Sequence, residues 1–166
     1  MPARRKPEPR RALPPFEHVV ERHGPALLRF CAARVGPERA EDCFQETMLA
    51  ALRAYPSLRD PEAIRSWLFA IAARKAVDAH RAGARQPRPV ADPEPLAEGR
   101  PPGEREPALW ARVRRLPEKQ RAAVALRYLA GLSHREIAAV METSDAAARR
   151  NVFEGLARLR REAGIR

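Results

Sequence analysis

The residues best suited to chemistry are two carboxylates, Asp42 and Glu46, which stand four positions apart in a helical pattern. At this spacing both lie on one helix face, where they can bind a metal ion or act as an acid–base pair. No histidine stands at a matching spacing, and the chain has no glycine-rich phosphate-binding loop. The sequence therefore predicts no catalytic residue, no metal site and no cofactor. Gln45, Leu49 and Arg53 share this face, which favours a protein contact or a plain solvated surface.

The overall charge indicates a polyanionic partner. The chain carries 32 Lys and Arg against 21 Asp and Glu, a net charge of +11, and such a balance is typical of nucleic-acid binding. Nearly all the cations are arginine, which binds phosphates and base edges through its planar fork. Cys31 and Cys43 fall inside helical patterns and are expected to be small buried residues, since a zinc site needs more soft ligands. No signal peptide or membrane span is apparent, so we expect a cytoplasmic protein.

The stretch from Leu132 to Arg160 predicts two helices joined by a short turn. Ser133 suits the N-cap of the first helix, and Glu136 three positions later completes a capping box. Ser144 suits the N-cap of the second helix. Glu142 stands where such turns usually place a left-handed glycine, at a cost of about 1 kcal/mol. The pattern is typical of a helix-turn-helix, although plain helical bundles also contain capped helix pairs.

The second helix of this stretch has one apolar side and one arginine-bearing side. At about 100° per residue its apolar stripe comprises Ala148, Val152, Leu156 and Leu159. The opposite side is centred near Arg150 and Glu154 and carries small residues beside them. Small residues let a helix approach a DNA groove closely, and arginine binds guanine edges or phosphates. This helix is therefore the predicted reading helix.

Three further helical patterns precede this stretch. The first runs from Phe16 to about Val35, with an expected kink or short break at Gly24–Pro25. The second runs from about residue 38 to 54. The third runs from about 62 to 82 and follows a proline-containing loop. The first half of this helix has an apolar face that packs on the core, and the continuation of that face in the second half carries charged residues. Such a helix suits a surface that reaches from a core onto DNA.

The chain is expected to be all-α, with two small helical domains. Residues 1–14 form a basic, proline-rich arm that we expect to be disordered. Residues 84–106 are rich in proline, glycine and mixed charge without apolar periodicity, which predicts an extended, flexible linker. The domains are then residues 15–83 and 107–166, the second ending in the helix-turn-helix. Each core is modest, so the independent stability of each domain should be marginal.

Four segments in this order resemble an extracytoplasmic-function (ECF) sigma factor: RHGPALLRF, EDCFQETMLAALRAY, RSWLFAIAARKAVDAHR and, beyond the linker, LPEKQRAAVALRYLAGLSHREIAAV. The match covers nearly all of the chain beyond residue 15. The resemblance implies a non-enzymatic subunit of bacterial RNA polymerase, built from sigma regions 2 and 4, that binds core polymerase and directs promoter recognition and opening. It also implies that the linker runs near the active-centre channel and RNA exit path.

The resemblance assigns roles to particular residues. The partners it implies are promoter DNA, the coiled coil of the largest polymerase subunit, the polymerase flap and an anti-sigma factor. The polymerase-binding residues would be Asp42, Gln45, Glu46 and Leu49. The minus-ten residues would be Arg59, Asp60, Trp67, Arg74, Lys75, Asp78 and Arg81. The minus-thirty-five residues would be Ser144, Ala146, Ala147, Arg149, Arg150, Asn151, Glu154 and Arg158.

Three residues depart from the family pattern, and two other functions stay open at this point. Lys75 stands where asparagine is frequent, Asn151 where a basic residue is common, and Glu142 replaces the turn glycine. The main alternative is a stand-alone helix-turn-helix regulator, which would bind its operator without polymerase and usually as a symmetric dimer. No dimerisation helix or effector pocket is apparent. A metal-dependent enzyme using Asp42, Glu46 and a distant histidine is a third and weaker interpretation.

Overall fold

The computed structural model describes residues 12–85 and 107–164, and all its regular elements are helical. Two single 3-10 turns, Tyr55–Ser57 and Pro61–Ala63, precede the third helix. Most of the predicted arm and nearly all of the predicted linker lie outside the described residues. The α-helices are α1 (Phe16–Val35), α2 (Pro37–Ala54), α3 (Ile64–Arg85), α4 (Pro107–Arg115), α5 (Glu118–Tyr128), α6 (His134–Val140) and α7 (Asp145–Glu162).

Helix α1 is continuous from Phe16 to Val35. The sequence predicted a kink or a short break at Gly24–Pro25, and the prediction of a break is wrong. Pro25 is exposed and lies inside the helix, where it removes one backbone N–H. Gly24 is buried, and a Cβ built on it would meet the Phe44 ring of α2 at 3.9 Å. Beyond this point α1 buries an apolar stripe, in which Leu27 and Phe30 are fully inaccessible. This burial offsets the local cost of the proline, because tertiary packing supplies most of the stability of a helix.

The N-terminal region is a three-helix unit, α1 to α3. Gly36, at φ 88°, joins α1 to α2 through a single residue, which makes them an antiparallel pair. Helix α3 packs on both, and its Phe69 ring meets Phe30 edge to face, with centroids 5.4 Å apart. Leu68 is fully buried beside them. This packing leaves the outer face of α2 and the second half of α3 accessible.

The C-terminal region packs α7 on α5 and α6, with α4 covering one end. Its core contains the fully buried residues Leu126, Leu132 and Ile137. Gly131, at φ 67°, lies in the turn between α5 and α6, where a left-handed conformation favours glycine. The four helices hold α7 with one side buried and the other side exposed.

The two regions contact each other, which the division of the sequence into two small domains did not anticipate. One hydrophobic cluster contains residues of α1 and α3 together with residues of α5, α6 and α7. Helix α1 contacts α4 and α5, and α3 contacts α6. Within the described part of the chain, this cluster is therefore shared, whereas two smaller clusters each lie within one region.

Two helical glycines provide a matched test of this packing. A Cβ at Gly155 of α7 would lie 2.7 Å from Val124 Cγ2 and 3.5 Å from the Gln120 backbone oxygen of α5. Gly155→Ala should therefore separate two packed helices and lower the free energy of unfolding by about 1–3 kcal/mol. The Cβ of Gly24→Ala makes only ordinary contacts, so this variant should leave the free energy of unfolding unchanged or raise it by about 0.5–1 kcal/mol. Urea unfolding measures both, and equal effects would refute close approach at Gly155.

Candidate protein-docking and nucleic-acid interfaces

The polar face of α2 is exposed as predicted. The opposite side of the helix buries Cys43, Thr47 and Ala51 in the core, and this orientation directs the other side outward. The exposed face combines carboxylates, an amide and an apolar residue, and the amide Nε2 of Gln45 donates to Glu41 Oε1 at 3.3 Å. The predicted docking residues on it are Asp42, Gln45, Glu46 and Leu49, all exposed.

Sequence reasoning missed Leu52, which extends this face. Leu49 and Leu52 are 54% and 51% exposed, and they are three positions apart, so they lie side by side on the helix. The sequence contained a signal for Leu52, because it stands three positions after Leu49 and therefore on the same side of the helix, away from the buried stripe. The α2 face is therefore acidic and amide-bearing with an apolar end.

The predicted α3 face also exists, and it faces the C-terminal region across a cleft. Arg74, Asp78 and Arg81 are exposed and line this cleft. On the opposite wall lie the N-terminus of α5, with Glu118 and Lys119, and the turn after α6, with Val140, Met141 and Glu142. The cleft therefore mixes arginines and carboxylates over an apolar floor.

Lys75 connects two of the predicted sites. Its Nζ lies 3.7 Å from Oε2 of Glu46, so a predicted minus-ten residue pairs with a predicted docking residue. The side chains are 32% and 64% exposed. A solvated pair at this distance contributes little stability, about 0–1 kcal/mol.

The loop before α3 is ordered by its own backbone bonds and by aromatic packing. Asp60 Oδ1 accepts a hydrogen bond from the Glu62 N–H at 2.9 Å and thereby caps the second 3-10 turn. Arg59 is exposed beside it. Trp67 is half-buried, with its ring centroid 6.1 Å from that of Tyr55. The structure thus places Arg59 and Asp60 at the surface and holds Trp67 partly against the core.

The helix-turn-helix has the capping geometry that its serines predicted. The Ser133 N–H donates to Glu136 Oε2 at 2.7 Å, and Ser133 Oγ accepts from the Glu136 N–H at 3.2 Å. The bond from the Ser133 backbone N–H holds the pKa of Glu136 below its usual value. Ser144 Oγ accepts from the Ala147 N–H at 3.1 Å. Glu142 has φ 52°, the left-handed conformation expected of it.

Helix α7 presents the predicted reading face to solvent. The residues Ala148, Val152 and Leu159 of its stripe are buried. Among the predicted contacts, Ala147 and Asn151 are half-buried. Glu154 accepts a hydrogen bond from Gln120 Nε2 of α5 at 3.0 Å, so this carboxylate is also tied to the supporting helix. The exposed predicted contacts are Ser144, Ala146, Arg149, Arg150, Glu154 and Arg158.

Phe153 is a second residue that sequence reasoning missed. Its side chain is 68% exposed, the largest exposure among the large hydrophobic residues of the described chain. It follows Arg150 by three positions and therefore lies on the arginine-bearing side. The sequence signal for Phe153 was an aromatic residue that lies off the apolar stripe of α7. Its accessible ring adds an apolar contact to a face otherwise made of arginine, alanine and polar groups.

The groups considered for metal chemistry do not form a site in the described residues. Within residues 12–85 and 107–164, no cluster of three His, Cys, Asp or Glu side chains could hold a metal ion. Cys31 and Cys43 are free and buried, as predicted, and their thiols share a hydrogen bond that raises the pKa of Cys31. In the same described ranges, no helix is long and apolar enough to span a membrane.

Family comparisons match both helical regions. The model for sigma-70 region 2 matches residues 19–86, and the model for sigma-70 region 4 matches residues 107–159. The chain is 37% identical over 161 residues to the ECF RNA polymerase sigma factor SigD of Mycobacterium tuberculosis, with 89% of this chain and 76% of SigD covered. It is 34% identical over 154 residues to the ECF RNA polymerase sigma factor ShbA of Streptomyces griseus, with 82% and 81% covered.

Two solved structures share the fold. The sigma factor RpoE of Bartonella quintana, in complex with the anti-sigma factor NepR, has a TM-score of 0.73 at 21% identity, covering 88% of this chain and 94% of RpoE. CnrH, in complex with the cytosolic domain of CnrY, has a TM-score of 0.64 at 24% identity, covering 90% and 87%. At these identities the likeness shows the helical architecture alone.

The left-handed turn residue gives a test of the helix-turn-helix geometry. Glu142→Gly removes the Cβ that disfavours φ 52° and should raise the free energy of unfolding by about 1 kcal/mol. Glu142→Ala removes the same carboxylate but keeps the Cβ, so it should give no such gain. Urea unfolding of both variants separates backbone strain from charge. An equal gain from alanine would assign the effect to the carboxylate.

Proposed function

The chain belongs to the ECF sigma factors and directs RNA polymerase to promoters through sigma-70 regions 2 and 4, and we propose that it does so with three separate surfaces. Region 2 corresponds to a domain of residues 15–83 and region 4 to a domain of residues 107–166. The observation that carries this division is the exposed acidic face of α2 in a chain of net charge +11. Membership in the family replaces the alternatives of a stand-alone regulator and a metal-dependent enzyme.

The α2 face is the proposed docking surface for core polymerase, specifically for the coiled coil of its largest subunit. Its carboxylates, Asp42 and Glu46, repel the DNA backbone, so a protein partner suits them better. Leu49 and Leu52 add apolar area that a partner helix can bury. Region 4 supplies a second proposed contact, with the polymerase flap.

The α3 face and the loop before it form the proposed minus-ten surface. Arg74, Lys75 and Arg81 neutralise the backbone of the separated strand, while Asp78 and Trp67 border its path. The ordered loop at residues 59 and 60 then holds a base that has left the stack, which favours the opened promoter over the duplex.

Helix α7 is the proposed reader of the minus-thirty-five element in the major groove. Arg149 and Arg150 bind phosphate oxygens and guanine edges, and the accessible ring of Phe153 suits contact with a thymine methyl group. Ala146 and Ala147 let the helix approach the bases closely. Ser144, Asn151, Glu154 and Arg158 complete the predicted contact set.

An anti-sigma factor is a further proposed partner. RpoE and CnrH, which share this fold, were each solved in complex with a second protein, and for RpoE that protein is an anti-sigma factor. A partner that covers the α2 face would compete directly with core polymerase.

The docking surface is tested by removing its polar groups. Asp42→Ala combined with Gln45→Ala should abolish co-purification with core polymerase, because both side chains are exposed and support no part of the core. Glu21→Ala is the matched control, since it removes one exposed carboxylate from α1 instead. Circular dichroism verifies that helix content is kept. Unchanged co-purification of the double variant would remove the docking assignment.

The reading helix is tested at Arg150. Arg150→Ala in the holoenzyme should cost about 1–3 kcal/mol of binding at one promoter position and relax base preference there. Arg160→Ala, an exposed arginine in the last turn of the same helix, is the control for loss of charge. Run-off transcription on a promoter library measures both variants. Equal losses on every sequence would reassign Arg150 to phosphate contact.

A further inference from the structure

Two cysteines face each other inside the α1–α2 pair. Cys31 lies five positions before the Gly36 connection and Cys43 seven positions after it, so they take up facing positions on two antiparallel helices. Both belong to one buried hydrophobic cluster. Both are free thiols, and the Cys31 S–H donates a hydrogen bond to the Cys43 sulfur. The two sulfur atoms are therefore in direct contact.

The two thiols differ in exposure and in acidity. Cys31 is fully inaccessible, whereas Cys43 is 5% exposed. The hydrogen bond from Cys31 lowers the pKa of the Cys43 thiol against the opposing effect of burial, and the positive charge of Arg34 acts in the same direction. The same hydrogen bond, together with burial, raises the pKa of Cys31. Cys43 is thus the thiol that ionises first, and the thiolate is the form that reacts with oxidants.

The cysteine pair lies beneath two of the proposed surfaces. Asp42 of the docking face directly precedes Cys43, and the Thr47 hydroxyl, one turn later, donates to the Cys43 backbone oxygen at 2.7 Å. On α3, the fully buried Ala76 belongs to the same cluster and directly follows Lys75. A movement of the cysteines therefore moves the turns that carry the docking face and part of the minus-ten surface.

We propose that Cys31 and Cys43 form an oxidation site, at which a hydroperoxide converts the two thiols into a disulfide that joins α1 to α2 and weakens docking to core polymerase. The Cys43 thiolate attacks the peroxide and its O–O bond breaks, which leaves a sulfenic acid on Cys43 and an alkoxide that takes up a proton. The Cys31 sulfur then attacks the Cys43 sulfur, the S–O bond breaks, and the oxygen leaves as water with the Cys31 proton. The two thiols are oxidised by two electrons, and the hydroperoxide is reduced to one alcohol and one water.

The disulfide must change the packing of α2. A covalent S–S bond is about 2.05 Å long, which is shorter than the distance between two hydrogen-bonded sulfurs. Because helix interfaces are close-packed, the helices accommodate this shortening by a shift or a rotation rather than by compression. The docking face moves with α2, since its residues stand on the same turns as Cys43. The weakened docking rests on the proposed role of this face, whereas the oxidation does not.

Mass measurement of the full chain after treatment with hydrogen peroxide tests the oxidation. The wild type should lose two hydrogen atoms, a digest should yield one linked pair of peptides containing positions 31 and 43, and dithiothreitol should reverse both changes. Cys31→Ser leaves no second thiol, so Cys43 should instead gain oxygen. Cys43→Ser removes the thiol that reacts first, so Cys31 should stay reduced under the same treatment. Unmodified thiols in the wild type, oxygen addition without hydrogen loss, or a disulfide between two chains would overturn the site.

Binding of the full chain to core polymerase, after the peroxide is removed, measures what the disulfide does. The oxidised wild type should bind about tenfold more weakly than the reduced protein, a difference of about 1.4 kcal/mol, and dithiothreitol should restore binding. Cys31→Ser combined with Cys43→Ser is the matched control, because it cannot form the bond and its affinity should not respond to peroxide. Equal affinities of the oxidised and reduced wild type would overturn the weakening of docking. Asp42→Ala with Gln45→Ala separately tests the docking face itself.

Discussion

A guanidinium that is 2% exposed needs a counter-charge, and among the described residues the ion-pair partner of Arg34 is Glu118, across the contact between the two regions. The Glu118 side chain is 48% exposed, so the pair is only half-buried and contributes less than a fully buried ion pair. Glu118 lies in the first turn of α5, so the pair joins the start of this helix to the end of α1. The cleft beside α3, the approach of α6 to α3 and the shared apolar cluster lie at the same contact between the regions.

The proposed docking and DNA-reading surfaces lie on the sides of helices that this packing leaves exposed. Helix α2 buries Cys43, Thr47 and Ala51, so its carboxylates must face outward. Helix α7 buries Ala148 and Val152 and therefore exposes its arginines. In both helices one apolar stripe determines the direction of the opposite face. The core supports the proposed surfaces by fixing the orientations of α2 and α7.

Local features were predictable from the sequence because a few neighbouring residues determine them. The capping box at Ser133, the left-handed Glu142 and the exposure of Arg150 follow from spacing alone. The continuity of α1 through Pro25 was not predictable locally, since tertiary burial outweighs the lost hydrogen bond. The Arg34–Glu118 pair joins residues 84 positions apart, and a sequence pattern carries no signal for such a contact.

The two interhelical ion pairs among the described residues differ in how far water reaches them. The solvated pair of Glu46 with Lys75, at 3.7 Å, contributes about 0–1 kcal/mol and restrains neither partner. In the pair of Arg34 with Glu118 the arginine side chain is 2% exposed and the carboxylate 48% exposed, so water reaches this pair from one side only. The apolar cluster therefore stabilises the contact between the regions, whereas the ion pair favours one register for it.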